Sequence, residues 1–287
     1  AFYMDASDED EWLVVDGLQR LTAIKRFVIK KELRLSGLEF LHNLSGMDFN
    51  ELPRNFRRRI KETQVIVYLI EKDTPPEVKF NIFKRINTGG LPLSSQEIRH
   101  ALNQGAATMM LKRLAGSNTF KKATDYGIRD HRMAAQECVL RFMAFTLKPY
   151  TSYKSSNFDG FLNFAMTAMN KMPDYELKKL EGSFLRSLNA CSYIFGRYAF
   201  RKQYRKNAWR NPINKALFET WTVNLKGLND YQLNELKQKK DKLVNGFIDL
   251  MNDSSGFDGA ISQGTGGVAK VKLRFSEISK LIQEVLS

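Results

Sequence analysis

Leu13-Val14-Val15-Asp16-Gly17-Leu18-Gln19-Arg20-Leu21-Thr22 is the stretch on which the reading of the chain turns. Leu13 to Val15 predict a short strand, Asp-Gly a sharp turn, and the residues after it an amphipathic helix. Leu18, Leu21, Ile24, Phe27 and Val28 recur at helical spacing, so a helix from about Gly17 to Arg34 is expected, with that face on the core. A strand–turn–helix with glycine at the bend leaves helix N–H groups pointing outward, where they attract phosphate. Arg20, one turn in, adds a fork of donors. The alternative is a capping box, with Asp16 as N-cap and Gln19 as its reciprocal partner.

Outward from this stretch, composition sets the class. The 287 residues have 43% hydrophobic and 26% charged side chains, as a soluble globular protein does. No apolar run approaches 18 residues, so no membrane helix and no membrane partner are expected. A net charge of +14 favours an anionic partner, nucleic acid first. Cys138 and Cys191 are too few for a disulfide framework and fit a reducing cytoplasm.

Residues 1–11 are acidic and read as a loop or frayed end. A short helix is expected at Leu38 to Leu44, and another opened by Pro53 and ending near Glu62. Gln64 to Ile70 is the clearest strand, dense in β-branched and aromatic residues. Pro75-Pro76 starts a helix through Ile86, Asn87-Thr88-Gly89-Gly90 is its turn, and Ser94-x-x-Glu97 is a capping box for a helix through Leu102. Beyond Gly105 only helices are predicted, at 106–115, 131–147, 158–171, 174–206, 212–227, 230–251 and 268–286. Asp253 to Gly267 reads as one long loop. Two regimes follow: an α/β part, residues 1–103, with two visible strands, and an all-helical part, residues 104–287.

Several stretches carry a family resemblance. Val14-Val15-Asp16-Gly17-Leu18-Gln19-Arg20-Leu21 resembles the DGQQR box of the DUF262 family, the N-terminal domain type of GmrSD-like modification-dependent restriction systems. Phe83-Lys84-Arg85-Ile86-Asn87-Thr88-Gly89-Gly90 with Gln96-Glu97-Ile98-Arg99 is similar to that family's second box. Gln136-Glu137-Cys138-Val139-Leu140-Arg141-Phe142 and the terminal Ala260-Ile261-Ser262, Gly264-Thr265 and Arg274-Phe275 also resemble it. The resemblance implies a mostly helical α+β chain: a partial ParB/sulfiredoxin-like core, then an all-α domain. The family pattern has earlier strands and an arginine-bearing segment ahead of the Asp-Gly box. That segment is not recognisable here, so the core is expected to be incomplete at its start.

The resemblance also implies an NTP site, its base left open between guanine and adenine, with Mg²⁺ as the accompanying ion and NTP hydrolysis as the activity. Asp16 would orient a metal or water, Gly17 would permit close phosphate approach, and Gln19 and Arg20 would contact phosphate. Leu18 stands where the family usually shows its first Gln, which removes one polar group. Arg85, Asn87, Thr88, Gly89 and Gly90 form the second candidate, a backbone nest at a helix end or an ordinary glycine C-cap. The function implied is a sensor or regulatory component of a DNA restriction or phage-defence system. The alternative is a DNA-binding adaptor whose nucleotide site is degenerate. Cutting resides in such systems in a separate HNH-type nuclease domain, with no counterpart in these residues, so a nuclease subunit is an expected partner.

Residues 197–210 hold six cations and four aromatics without an acid. On the expected helix, Arg197, Arg201 and Arg205 would share a face, with Lys202 and Lys206 beside it and Tyr204 or Trp209 to stack bases. The alternative is a solvated helix whose aromatics face the core. Arg54, Arg57, Arg58 and Arg59 read as a solvated face. His42, His100 and His131 lack metal-ligand spacing, no nucleophilic triad is assembled, and Gly264-Thr265-Gly266-Gly267 lacks the Lys-Ser/Thr of a P-loop.

Overall fold

Phe2–Ala6 pairs with two other strands and forms the middle of a small sheet. The structure, a computed structural model, describes residues 2–6, 12–71, 73–86, 92–253 and 256–287. In chain order the first elements are β1 (Phe2–Ala6), β2 (Leu13–Asp16), α1 (Leu18–Ile24), α2 (Arg54–Glu62), β3 (Val67–Glu71) and α3 (Pro76–Ile86). The sheet order is β2-β1-β3, with β1 antiparallel to β2 and parallel to β3. Residues 2–6 therefore correct the expectation of a frayed end. A further strand, β1, precedes β2, and the sheet has three strands rather than two.

The first helix is shorter than its apolar spacing predicts. After Ile24 a π-type turn spans Lys25–Ile29, closed by the Lys30 N–H donating to the Lys25 carbonyl at 2.9 Å. Lys31 then takes φ 57° and ends the helix. The wider turn moves Phe27 and Val28 off the line of Leu18 and Ile24. Phe27 and Val28 pack on Leu44, Phe49 and Leu52, whereas Leu18 and Ile24 are 61% and 47% exposed. The single core-facing stripe is thus not realised. The helix expected at Leu38 to Leu44 reduces to one 3₁₀ turn at His42–Leu44. Beside it Arg34 donates to the Gly46 carbonyl at 2.7 Å and to Glu51 at 3.0 Å, which holds the chain out of a helix.

The chain divides into two compact units, Ala1–Pro92 and Leu93–Ser287. The second is helical: α4 (Ser95–Leu102), α5 (Ala106–Gly116), α6 (Asn118–Ala123), α7 (Ala134–Leu147), α8 (Phe158–Asn170), α9 (Asp174–Phe195), α10 (Lys215–Lys226), α11 (Asp230–Gln238), α12 (Lys240–Asn252), α13 (Phe257–Ser262) and α14 (Val268–Leu286). The protein is a mostly helical α+β chain. The capping box at α4 is made: Ser94 Oγ accepts from the Glu97 N–H at 3.2 Å, and Glu97 Oε2 accepts from the Ser94 N–H at 2.6 Å. Helix α4 packs with α7 and α8, so it belongs to the helical unit although it precedes residue 103.

Helix α7 is apolar on nearly every face, as a central helix must be, and α5, α8, α9 and α10 surround it. Phe142 meets Phe184 of α9 at 4.9 Å, and Phe145 meets Phe275 of α14 at 4.7 Å between ring centroids. Two predicted helices are interrupted. Gly196, at φ 52°, stops α9; Gly196–Tyr198 make a single 3₁₀ turn and residues 199–206 are not helical. The predicted 230–251 helix breaks between α11 and α12 at Lys239, and the expected long loop contains α13.

Charge is also buried here. Glu219, fully buried on α10, accepts from Arg141 Nη1 of α7 at 3.1 Å and from Arg274 Nη2 of α14. Arg141 also pairs with Glu137 at 2.8 Å, and Lys215 with Glu137 at 2.5 Å. Arg274 donates to the Thr265 carbonyl at 2.6 Å, and Tyr153 to the Gly266 carbonyl at 2.7 Å. The Gly-Thr-Gly-Gly stretch is therefore a pinned structural loop ahead of α14. Gly266 is required there because a Cβ would lie 2.8 Å from that of Phe158.

Two stability predictions follow from these contacts. E219A should cost about 3–5 kcal/mol, because two arginines lose their counter-charge in the interior; equilibrium urea unfolding measures it. Burial pushes the Glu137 carboxyl up, but Arg141 and Lys215 more than reverse this and hold it at about 2. Since the folded value lies below the ordinary carboxylate value, its stabilisation is complete above that value and is lost as pH falls toward 2. Glu137→Gln should flatten the acid limb of a melting temperature–pH profile in that window.

Candidate functional site

The turn at Asp16 is built by the end of a strand and one glycine. Asp16 closes β2, with its Cα opposite that of Tyr3 in β1. Gly17 takes φ 93°, a left-handed conformation that side-chain-bearing residues rarely adopt, and occupies the N-cap position of α1. The reciprocal capping box is consequently not formed: Asp16 lies one residue too early, and no side chain caps the first turn. Instead Arg20 Nη2 donates to Asp16 Oδ2 at 2.8 Å, an exposed (i, i+4) ion pair. Gln19 is exposed on the same turn.

This geometry brings a carboxylate, a guanidinium and the N–H groups of an uncapped first turn to one edge of the first unit. The amides and the guanidinium can hold a phosphate, and the carboxylate can hold a cation or water beside it. Arg85 sits exposed in the last turn of α3, which packs against β2. Asn87, Thr88, Gly89 and Gly90, the nest candidates, lie outside the described residues. No group of three or more metal-ligating side chains occurs among the described residues. Cys138 and Cys191 are buried thiols, each pushed up by burial, Cys138 to about 12, so neither is a nucleophile at neutral pH.

The basic stretch is rearranged rather than helical. Arg197 lies in a 3₁₀ turn, and Arg201 is buried, donating to the Asn211 carbonyl at 2.5 Å. Lys202 pairs with Asp258 at 2.7 Å and donates to Ser262 Oγ at 2.6 Å, while the Tyr204 hydroxyl donates to Asp258 at 2.9 Å. Lys202 and Tyr204 are thus anchors. Arg205 and Lys206 stay exposed near the loop tip. The helical line of Arg197, Arg201 and Arg205 does not exist, because Gly196 ends α9 before it. What forms is a hollow of about 620 Å³ lined by Arg197, Arg201, Arg210, Tyr126, Tyr198 and Trp209. Tyr126 escaped the sequence reading; its only local signal is the turn-forming Asp125-Tyr126-Gly127.

Comparison with known proteins bears on the first unit. Residues 1–103 match the family described as GmrSD restriction endonuclease, N-terminal domain. The GmrSD-type match contains both the Asp16–Arg20 turn and the α3–α4 boxes, in agreement with the resemblance read from the sequence. No curated protein and no solved structure matches the chain. No helix among the described residues is long and apolar enough to cross a membrane.

The exposed ion pair yields a simple expectation. Asp16→Asn should change stability by less than about 1 kcal/mol, since it breaks a solvent-screened pair and no cap. A thermal melt of the two proteins checks this; a larger loss would restore Asp16 as a structural cap.

Proposed function

We propose that this chain is a component of a DNA restriction or phage-defence system and that its first unit binds and hydrolyses an NTP at the Asp16–Arg20 turn. The observation that carries this reading is the uncapped start of α1 behind Gly17, with Arg20 and Asp16 side by side at its edge. Arg20 would turn its fork from Asp16 to a phosphate, and Gly17, lacking a Cβ, lets that phosphate approach the first-turn amides. Gln19 extends from the same turn to hold a phosphate oxygen or the attacking water. Asp16 fits a magnesium ion, which takes one or two protein carboxylates and completes its shell with substrate phosphates and water. Such an ion would neutralise charge developing on the phosphates. DNA is the expected partner of the system, and a separate HNH-type subunit would supply the cutting.

A second reading, a non-catalytic DNA-binding adaptor, is favoured by two observations. Asp16 is already paired with Arg20, and Leu18 leaves the turn one polar group short of the family's usual box.

Calorimetric titration with ATP and GTP, followed by turnover assays, separates the two. Arg20→Ala should weaken NTP binding by roughly 10- to 100-fold, the loss of one charge-assisted contact. Asp16→Asn should leave binding in place and lower turnover by roughly 100-fold, the scale of one positioned acid–base group. Absence of NTP binding by the parent protein would establish the adaptor reading.

A further inference from the structure

The hollow in the helical unit has three properties that together point to a ligand. The first is unbalanced charge. Among the described residues no carboxylate pairs with Arg197 or Arg201, and both arginines line the same hollow. Arg201 is buried, and its guanidinium reaches only carbonyls, those of Asn211 and, at 3.4 Å, Thr124; its Nε has no partner. Burial, then Arg197, push its pKa down. Of the three arginines, Arg210 alone has a counter-ion among the described residues, Asp125. A buried cation without an anion is costly, and an anion entering the hollow removes that cost.

The second property is exposed aromatic surface. Trp209 is 95% and Tyr126 67% exposed, and both line the hollow. Aromatic rings that serve packing are covered, as Trp221 and Phe200 are in this same unit. The third is a fixed frame. The Asn214 N–H donates to the Phe200 carbonyl at 2.8 Å, Arg201 and Ile213 form an antiparallel bridge, and Asn211 Nδ2 donates to the Lys202 carbonyl at 2.8 Å. The Tyr198 hydroxyl donates to the Ala208 carbonyl at 3.1 Å. The opposite wall is a tight turn in which Asp125 and Tyr126 both take positive φ, 49° and 53°, and Asn207 does the same in the loop at 55°. Strained backbone of this kind persists where the surroundings over-determine it, often at binding sites.

We propose that this hollow binds one nucleotide of a single-stranded nucleic acid, the phosphate against Arg197 and Arg201 and the base stacked on Trp209. Guanidiniums with exposed rings beside them fit a phosphate with a free base face. A base in a duplex has both faces covered by its neighbours and offers Trp209 nothing to stack on. An acidic protein segment would satisfy the arginines but would leave the rings without a partner. The site lies in the helical unit and does not rest on the NTP reading of the first unit.

The test uses the full chain and a labelled oligothymidylate of about 12 nucleotides, a length within ordinary single-strand site sizes. Binding is followed by fluorescence anisotropy and by tryptophan emission. The parent should bind the single strand more tightly than a duplex of equal length, with quenching of Trp209. Trp209→Ala should weaken binding about tenfold and abolish the quenching. Arg197→Gln should reduce the salt slope by about 0.7. Both side chains are exposed, so melting temperatures should match the parent's and exclude a folding defect. Unchanged affinity in both variants, preference for the duplex, or displacement of the oligonucleotide by polyglutamate would overturn the proposal. NTP binding by the two variants should stay at the parent level; its loss would make the hollow an NTP site instead.

Discussion

The carboxylate of Glu219, closed between Arg141 and Arg274 with no access to water, is the interaction on which the helical unit depends. Each of its partners makes a further contact, Arg141 along its own helix and Arg274 to the loop ahead of it. Arg141 carries the contact to Glu137 and so to Lys215, and Arg274 carries it to the loop ahead of α14. Helices α7, α10 and α14 could slide past one another if only apolar surface joined them. Directional bonds to one buried carboxylate fix their register. Such a network is weak as a source of net stability, because each charge gives up its hydration to enter the interior. Its effect is to make the arrangements that leave a charge unpaired expensive.

The basic hollow lies in the same unit, at the connection between α9 and α10. The loop from Arg201 to Asn214 leaves the body of the unit just after α9 and returns at the start of α10, where the Asn214 side chain caps the helix by accepting from the Leu217 N–H at 2.9 Å. Helix α13 anchors the loop through Asp258 and Ser262. Of the cations in the stretch, some hold the loop and others face outward, a division set by tertiary contacts. The first unit distributes its groups differently. Its small core, Leu44, Phe49 and Leu52, sits beside the π-type turn, and the Asp16–Arg20 ion pair lies at the surface at the end of β2, with Gly17 buried beneath it.

The sequence announced those features that depend on local chemistry. The strand at Leu13, the left-handed glycine after Asp16, the proline-started α3 and the Ser94–Glu97 box are all settled within a few residues of chain. Features decided by distant partners were not legible. Nothing near Gly196 in the apolar periodicity warns that α9 stops there, because the cations beyond it are good helix formers. The π-type turn after Ile24 likewise leaves no trace in a 3.6-residue pattern. Phe2 to Ala6 became a strand because β2 and β3 both pair with it, a non-local gain that an acidic terminal composition hides. Glu219 did leave a signal, a single acid between Phe218 and Thr220 in an apolar helix, although its partners stand far away in the chain. The candidate sites divide the same way: the Asp16–Arg20 turn was readable, whereas Tyr126 joined Arg197 and Trp209 only through folding.

The two anion sites proposed, one for an NTP in the first unit and one for a nucleic-acid strand in the helical unit, should bind independently. Hydrogen–deuterium exchange of the full chain, with NTP alone and with oligothymidylate alone, tests it in one measurement. NTP should slow exchange in peptides covering residues 13–24, and the oligonucleotide in peptides covering 120–130 and 196–214. Protection of the same peptides by both ligands, or protection by the oligonucleotide centred on residues 54–63 of α2, would contradict it.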